Sequence, residues 1–244
     1  MTAGPEPLRR VLVTRPEPGA SATARALRLA GFEPVVLPLT EIRPLPAKPV
    51  DAQAIDAVAI TSANALRHAS PSLLAELARC PLYAVGKATA ETAREAGFLN
   101  ISVGPGDADG LVRLICDRLG ADATVAYLCG RLRRPDFEEG LRQHGIRPVP
   151  VETYDTLTAR IGKDAVRRLG TAPFFTVLVH SAEAAKALAT LAPDPAFVPL
   201  LANARLVAIS RRAAEPAAPL FPERIVIAEE PNDRAMAAAL SGLL

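Results

Sequence analysis

Residues 147–157 read RPVPVETYDTL. A strand-favouring run opens just behind Gly145 and carries on past the roughly five or six residues of an ordinary strand, through Tyr154, one of three tyrosines in the chain. The same outline occurs near the N-terminus. VLVTRP followed by LRLAGFEPVVLPLTE parallels VAYLCGRLRRP followed by LRQHGIRPVPVETY. In each, a strand, an Arg-bearing turn and a helix lead through Gly-x-x-Pro-Val to a strand that overruns its expected end, near Pro38–Glu41 and near Glu152–Asp155. If both overruns are connectors, the chain leaves one domain, builds another and returns. Domain one is then 1–38 with 154–244, domain two is 39–153, and the two crossings form a hinge. Tyr154 reads either as an edge-strand aromatic or as a side chain placed for chemistry.

Outward from these stretches the chain keeps one rhythm. DAVAIT, PLYAVG, ISV and TVAYLCG are strands, separated by SANALRHA, a helix opened by Ser70-Pro71, KATAETAREAG and DGLVRLICDRLG. After Thr156, FFTVLVHS, RLVAIS and RIVIAEE alternate with AEAAKALATLA, RRAAEPAA and DRAMAAALSGLL. The strands are continuous apolar runs without polar alternation, which predicts parallel sheets covered by helices on both faces. Two further echoes support a repeat: VAITSANAL resembles VLVHSAEAAKAL, and LYAVGKATAETAREAGF resembles LVAISRRAAEPAAPLF.

Composition closes off several functions. Formal charge is only +2, which predicts no wholesale binding to nucleic acid or to an anionic membrane. No apolar run approaches the roughly 18 residues of a membrane span, and MTAGPEPLRRVLVTRP lacks a leader's apolar core, so a cytoplasmic location is expected. Cys80, Cys116 and Cys129 lie far apart, as do His68, His144 and His180, so neither a metal site nor a disulfide framework is expected. No glycine-rich cofactor fingerprint, phosphate-binding lysine loop or nucleophile elbow is present. Of the 28 basic residues only Lys48, Lys87, Lys163 and Lys186 are lysine; the guanidinium of the others suits bidentate capture of carboxylate.

What recurs is a strand ending in small or hydroxyl residues that run straight into a helix. Thr61-Ser62-Ala63-Asn64, Gly86-Lys87-Ala88-Thr89, Gly130-Arg131, His180-Ser181-Ala182 and Ser210-Arg211 all have this form. Each places backbone N–H groups at the positive end of a helix dipole, where an anion is favoured. Each is equally the ordinary sequence of a helix cap. Ligands of open parallel sheets bind beyond the carboxyl ends of the strands, and two domains on one hinge can face those ends into a shared cleft with Tyr154 at its floor.

In order and spacing, VLVTRP, AITSANAL, AVGKATAETAREAGF, LCGRLRRPDFEEGLRQHG and VETYDT resemble the uroporphyrinogen-III synthase family over nearly the whole chain. The resemblance implies two flavodoxin-like α/β domains of parallel sheet joined by a two-stranded β-ladder hinge. It implies a cofactor-free cyclising lyase acting on hydroxymethylbilane, a linear tetrapyrrole with eight carboxylates. Loss of water from the hydroxymethyl group, attack through the substituted carbon of ring D and reclosure invert that ring. The family tyrosine that would protonate the departing hydroxide falls on Tyr154. By the same matching Arg15, Thr61, Ser62, Asn64, Lys87, Thr89, Arg131 and Ser181 are substrate contacts, with Ser210 as a further one. The chain departs from the family where Ser210-Arg211-Arg212-Ala213 replaces a Gly-x-x-Thr, and where His180 replaces a Thr. A monomer is expected. The alternative is a non-catalytic two-domain hinge protein that binds an anionic small molecule.

Overall fold

The computed structural model describes residues 9–244. Residues 1–8, the start of the first expected domain and of the stretch read for a leader, lie outside the described residues. The chain forms two units, one of residues up to Glu41 with Leu157–Leu244, the other Ile42–Thr156.

The first passage is β1 (Arg10–Val13), α1 (Gly19–Leu29) and β2 (Glu33–Val36). The chain then runs through β3 (Thr40–Pro44), β4 (Ala57–Ile60), α2 (Asn64–Arg67), α3 (Pro71–Leu77), β5 (Leu82–Ala84) and α4 (Lys87–Glu95). It continues with β6 (Ile101–Val103), α5 (Ala108–Cys116), β7 (Thr124–Gly130), α6 (Asp136–Gln143) and β8 (Arg147–Thr158). The return consists of α7 (Lys163–Arg167), β9 (Thr176–Val179), α8 (Ala182–Leu191), α9 (Val198–Leu201), β10 (Arg205–Ala208), α10 (Arg211–Ala214), β11 (Ile225–Ile227) and α11 (Asp233–Ser241).

One sheet has the order β11-β10-β9-β1-β2, with all four pairings parallel. The other has β3-β8-β7-β4-β5-β6, parallel from β8 to β6. Apart from β3, both follow one plan, in which β9, β10, β11, β1 and β2 stand where β4, β5, β6, β7 and β8 stand. Four of those pairs, β9 with β4, β10 with β5, β1 with β7 and β2 with β8, lie in the segments that echo each other in sequence.

Strand parity explains the unbroken apolar runs. In the first sheet Leu12, Val177 and Val179 meet α7, α8 and α9, while Val11, Val13 and Leu178 meet α1 and α11. In the second, Val58, Ile60 and Leu128 meet α2, α3 and α4, while Ala59, Val125 and Tyr127 meet α5 and α6. A strand buried on both faces has no polar face to show. The matched helices α1 and α6 stop in the same way. Gly31 (φ 81) and Gly145 (φ 77) take the left-handed conformation, and Phe32 and Ile146 donate back to the carbonyls of Leu27 and Leu141 at 3.0 and 3.1 Å. A side chain at either glycine would be strained there.

The two overruns differ. After β2, Leu39 N–H still reaches the Thr14 carbonyl at 2.9 Å, but Pro38 has no N–H to continue the ladder, and the chain restarts as β3 in the other sheet. By contrast, β8 is a single strand of 12 residues. Leu45 N–H donates to Thr153 and Ala159 N–H to Leu39, both at 2.9 Å, so β3 runs antiparallel along β8. With β3 on one side and β7 on the other, β8 is no edge strand at Tyr154.

Candidate active site

In open parallel sheets ligands gather at the carboxyl ends of the two central strands from which the strand order runs both ways. In the second sheet these are β4 and β7. Thr61 and Ser62 follow β4, Gly130 closes β7 and Arg131 follows it. Tyr154 reaches the same end because β8 carries an extra residue: Cys129 pairs with Glu152, but Gly130 pairs with Tyr154. Such a bulge changes which way the strand aims its side chains. Tyr154 consequently packs on the same core as Val151, which a regular strand of period two would not allow. The displaced Thr153 is fully buried and donates to the Ala65 carbonyl at 2.8 Å.

Burial pushes the Tyr154 phenol above its ordinary pKa, partly opposed by a hydrogen bond with the Ser62 hydroxyl. The phenol therefore keeps its proton at neutral pH and serves as a donor. Thr61 Oγ1 is 2.8 Å from the hydroxyl of Tyr127, whose own pKa burial pushes up to about 12. The backbone N–H of Asn64 donates to Ser62 Oγ at 3.3 Å, and its amide oxygen accepts from Arg67 at 3.4 Å.

Arg131 does not stand free. It pairs with Glu152 at 3.4 Å and Asp155 at 3.3 Å, and its backbone N–H donates to the Tyr154 carbonyl at 2.8 Å. Arg133 ties this loop together through Glu138 (2.7 Å), Glu152 (3.0 Å) and the carbonyls of Gly130 and Arg131. Its hydrogen bond, then that of Arg131, hold the Glu152 carboxyl below the usual carboxylate range. Sequence reasoning missed Arg133; its only trace is a guanidinium five residues before Glu138 in RLRRPDFEEG. In α4, Lys87 is exposed and Thr89 buried, and Gly86 offers no side-chain cap, so the first-turn N–H groups are open to an anion.

In the first sheet the corresponding ends belong to β9 and β1. Ser181 Oγ accepts from Ala184 N–H, and Ser210 Oγ from Ala213 N–H, both at 3.2 Å, so each hydroxyl caps its own helix. Arg15 lies over Gly19, where a Cβ would come within 2.4 Å of its Nε, and donates to Asp233 Oδ1 at 2.7 Å and Thr23 at 3.4 Å. His180 Nε2 is 3.5 Å from the same carboxylate oxygen. Asp233, the first residue of α11, was invisible to sequence reasoning because it lies 218 positions from Arg15. A pocket of about 140 Å³ between α1 and α11 ends at His180 and Asp233; its walls of Ala26, Leu27, Met236 and Leu240 suit no polyanion.

Among the described residues no group of three His, Cys, Asp or Glu could hold a metal, and no helix is long and apolar enough to cross a membrane. Fold and strand ends together define the class: an α/β protein of two doubly wound sheets with its polar, hydroxyl- and guanidinium-bearing loops at the carboxyl ends of parallel strands. The family described as "Uroporphyrinogen-III synthase HemD" matches residues 21–238, and the chain belongs to the uroporphyrinogen-III synthase family. The crystal structure of uroporphyrinogen-III synthetase from Helicobacter pylori shares the fold, with TM-score 0.65 and 19% identity over 97% of this chain and 100% of that one. A mutant uroporphyrinogen III synthase from Thermus thermophilus shares it too, with TM-score 0.55 and 20% identity over 96% of each chain. No curated protein matches the sequence.

Proposed function

We infer that this chain converts hydroxymethylbilane to uroporphyrinogen III, with Tyr154 as the proton donor and the loops after the parallel strands as carboxylate contacts. The family reaction is a cyclising, cofactor-independent lyase step of tetrapyrrole biosynthesis. The match over residues 21–238 carries this reading. Tyr154 O–H protonates the terminal hydroxyl, the C–O bond breaks and water leaves an electrophilic azafulvene. Ring D attacks through its substituted carbon, fragments and recloses inverted, and the proton released on closure returns to the phenolate. A phenol with a raised pKa is a weak acid, so its contribution lies at or below the low end of general acid catalysis. Selecting between the inverted and uninverted ring closures needs only about 1.4 kcal/mol for each factor of ten, which positioning can supply.

Eight substrate carboxylates call for cations that the protein has not already paired. Arg15 and Arg131 are held by internal carboxylates and act mainly in shaping their loops. Lys87, Arg211 and Arg212 are exposed and have no ion-pair partner among the described residues. The two arginines line an open pocket of about 720 Å³ with Glu215, Ile225 and Ile227, where the isoleucines suit a pyrrole's apolar face and two guanidiniums outnumber one carboxylate. Ser62, Thr61, Asn64 and Thr89 supply hydroxyl, amide and N–H contacts. The protein acts as a cytoplasmic monomer.

The test is to supply hydroxymethylbilane, oxidise the products and measure the type III to type I ratio. A ratio equal to the enzyme-free blank removes the reading. In the same assay Tyr154→Phe is expected to lower kcat about tenfold to hundredfold with little change in KM. The double variant Arg211→Ala/Arg212→Ala is expected to raise KM roughly twofold to thirtyfold, the range of two exposed ion pairs of about 0.2–1 kcal/mol each.

A further inference from the structure

Gly130 is the last residue of β7, is buried, and pairs with Tyr154 across the bulge. A Cβ at this position would lie 2.8 Å from Tyr154 Cζ, 2.9 Å from Cε2 and 3.1 Å from the hydroxyl oxygen. Those are the three nearest atoms, and all belong to the one ring, at the end that carries the reactive group. Gly130 does not occupy the left-handed region reserved for glycine, so its backbone accepts alanine and the nearest obstacle is the phenol. On the other side, the bulge that aims the ring is held by the buried Thr153 hydroxyl, which donates to the Ala65 carbonyl.

We propose that Gly130 is the positioning residue of Tyr154, its bare α-carbon forming the seat that sets where the phenol hydroxyl lies. The inference rests on the reading of Tyr154 as proton donor. A side chain at position 130 displaces the hydroxyl by a good fraction of an ångström, and misplacement of about 1 Å in a reacting group can cost roughly a hundredfold in rate. It also disturbs the ring's burial and its hydrogen bond with Ser62, the two influences that set its pKa.

The experiment uses the full chain as wild type, Gly130→Ala, Tyr154→Phe and the double variant. It measures kcat, KM and the isomer ratio on hydroxymethylbilane, with ultraviolet titration of the phenols; subtracting the Tyr154→Phe curve isolates Tyr154 from Tyr83 and Tyr127. Gly130→Ala is expected to lower kcat about tenfold to hundredfold. KM should stay within about twofold, and the Tyr154 titration should shift from its wild-type position. In the Tyr154→Phe background the alanine should change kcat by less than about twofold, the mark of two residues acting as one unit. A wild-type kcat in Gly130→Ala, or an equal loss whether or not the phenol is present, overturns the proposal. A wild-type rate in Tyr154→Phe instead sinks the donor reading; an unmoved titration in Gly130→Ala then sinks the seat as well, while a shifted one upholds it. Should Gly130→Ala fail to fold, Gly130→Ala/Tyr154→Ala decides: recovery of folded protein supports the contact, and no recovery overturns it.

Discussion

Asp233 shares one carboxylate oxygen between Arg15 at 2.7 Å and His180 at 3.5 Å. The hydrogen bond with His180, then the charge of Arg15, hold its carboxyl well below the usual range. Burial holds the His180 imidazole below its usual pKa, with the Arg15 charge adding to the effect. Both shifts have the same sign for stability. The unfolded chain takes up protons that the folded one refuses, so stability is full above the unfolded pKa and falls with pH below it. The window for His180 opens below about pH 6.5 and that for Asp233 below about pH 3.9. His180→Gln should therefore flatten the loss of denaturant stability between about pH 6.5 and 5; a slope equal to wild type contradicts this account. Asp233→Asn should lower Tm at neutral pH, with a gap that closes only at pH well under 4.

At the scale of elements, β8 does what a regular strand cannot. One extra residue at Thr153 changes the face presented by everything after it, which is how a strand whose Val151 lies in the core also lays Tyr154 along Gly130. The Thr153 hydroxyl holds the bulge, since Ala65 lies in the four-residue helix α2 and its carbonyl takes this 2.8 Å bond. Thr153→Val preserves shape but leaves that carbonyl unpaired. The expected cost is about 1–3 kcal/mol in urea unfolding, with kcat reduced as the ring loses its aim. A variant as stable and as fast as wild type shows that the bulge stands without the hydroxyl. Extended runs were legible in the residues, as was the Gly-x-x-Pro-Val passage from helix to strand that begins at Gly31 and at Gly145. The bulge was not, because nothing in PVETYDT marks which residue is the extra one until β7 supplies the pairing.

At the scale of the molecule the two units are copies of one plan with different chemistry at matching places. Where Thr61 follows β4, His180 follows β9; where Arg131 is held by Glu152 and Asp155, Arg15 is held by Asp233. Each unit has its own pair of cores on the two faces of its sheet. Phe221, fully buried in one of the first unit's cores, provides a test. Phe221→Ala should cost about 3–5 kcal/mol, and hydrogen exchange should quicken in β9, β10 and β11 while β4, β5 and β7 keep their protection. Equal loss of protection in both sheets would mean that they unfold as a single cooperative body.

The residues alone determined the class of fold, the alternation of buried strand and helix, the kinship of the two halves and the prominence of Tyr154. These are written in short unbroken apolar runs, in helical spacing of about 3.6 residues and in caps, all decided among near neighbours along the chain. Tertiary structure alone decided that Arg15 and Arg131 are paired with internal carboxylates and that Gly130 makes room for a phenol. Those outcomes depend on which strands lie side by side and in what register. Arg15 meets Asp233 across 218 positions because α11 packs beside α1, a fact that no short window of sequence contains.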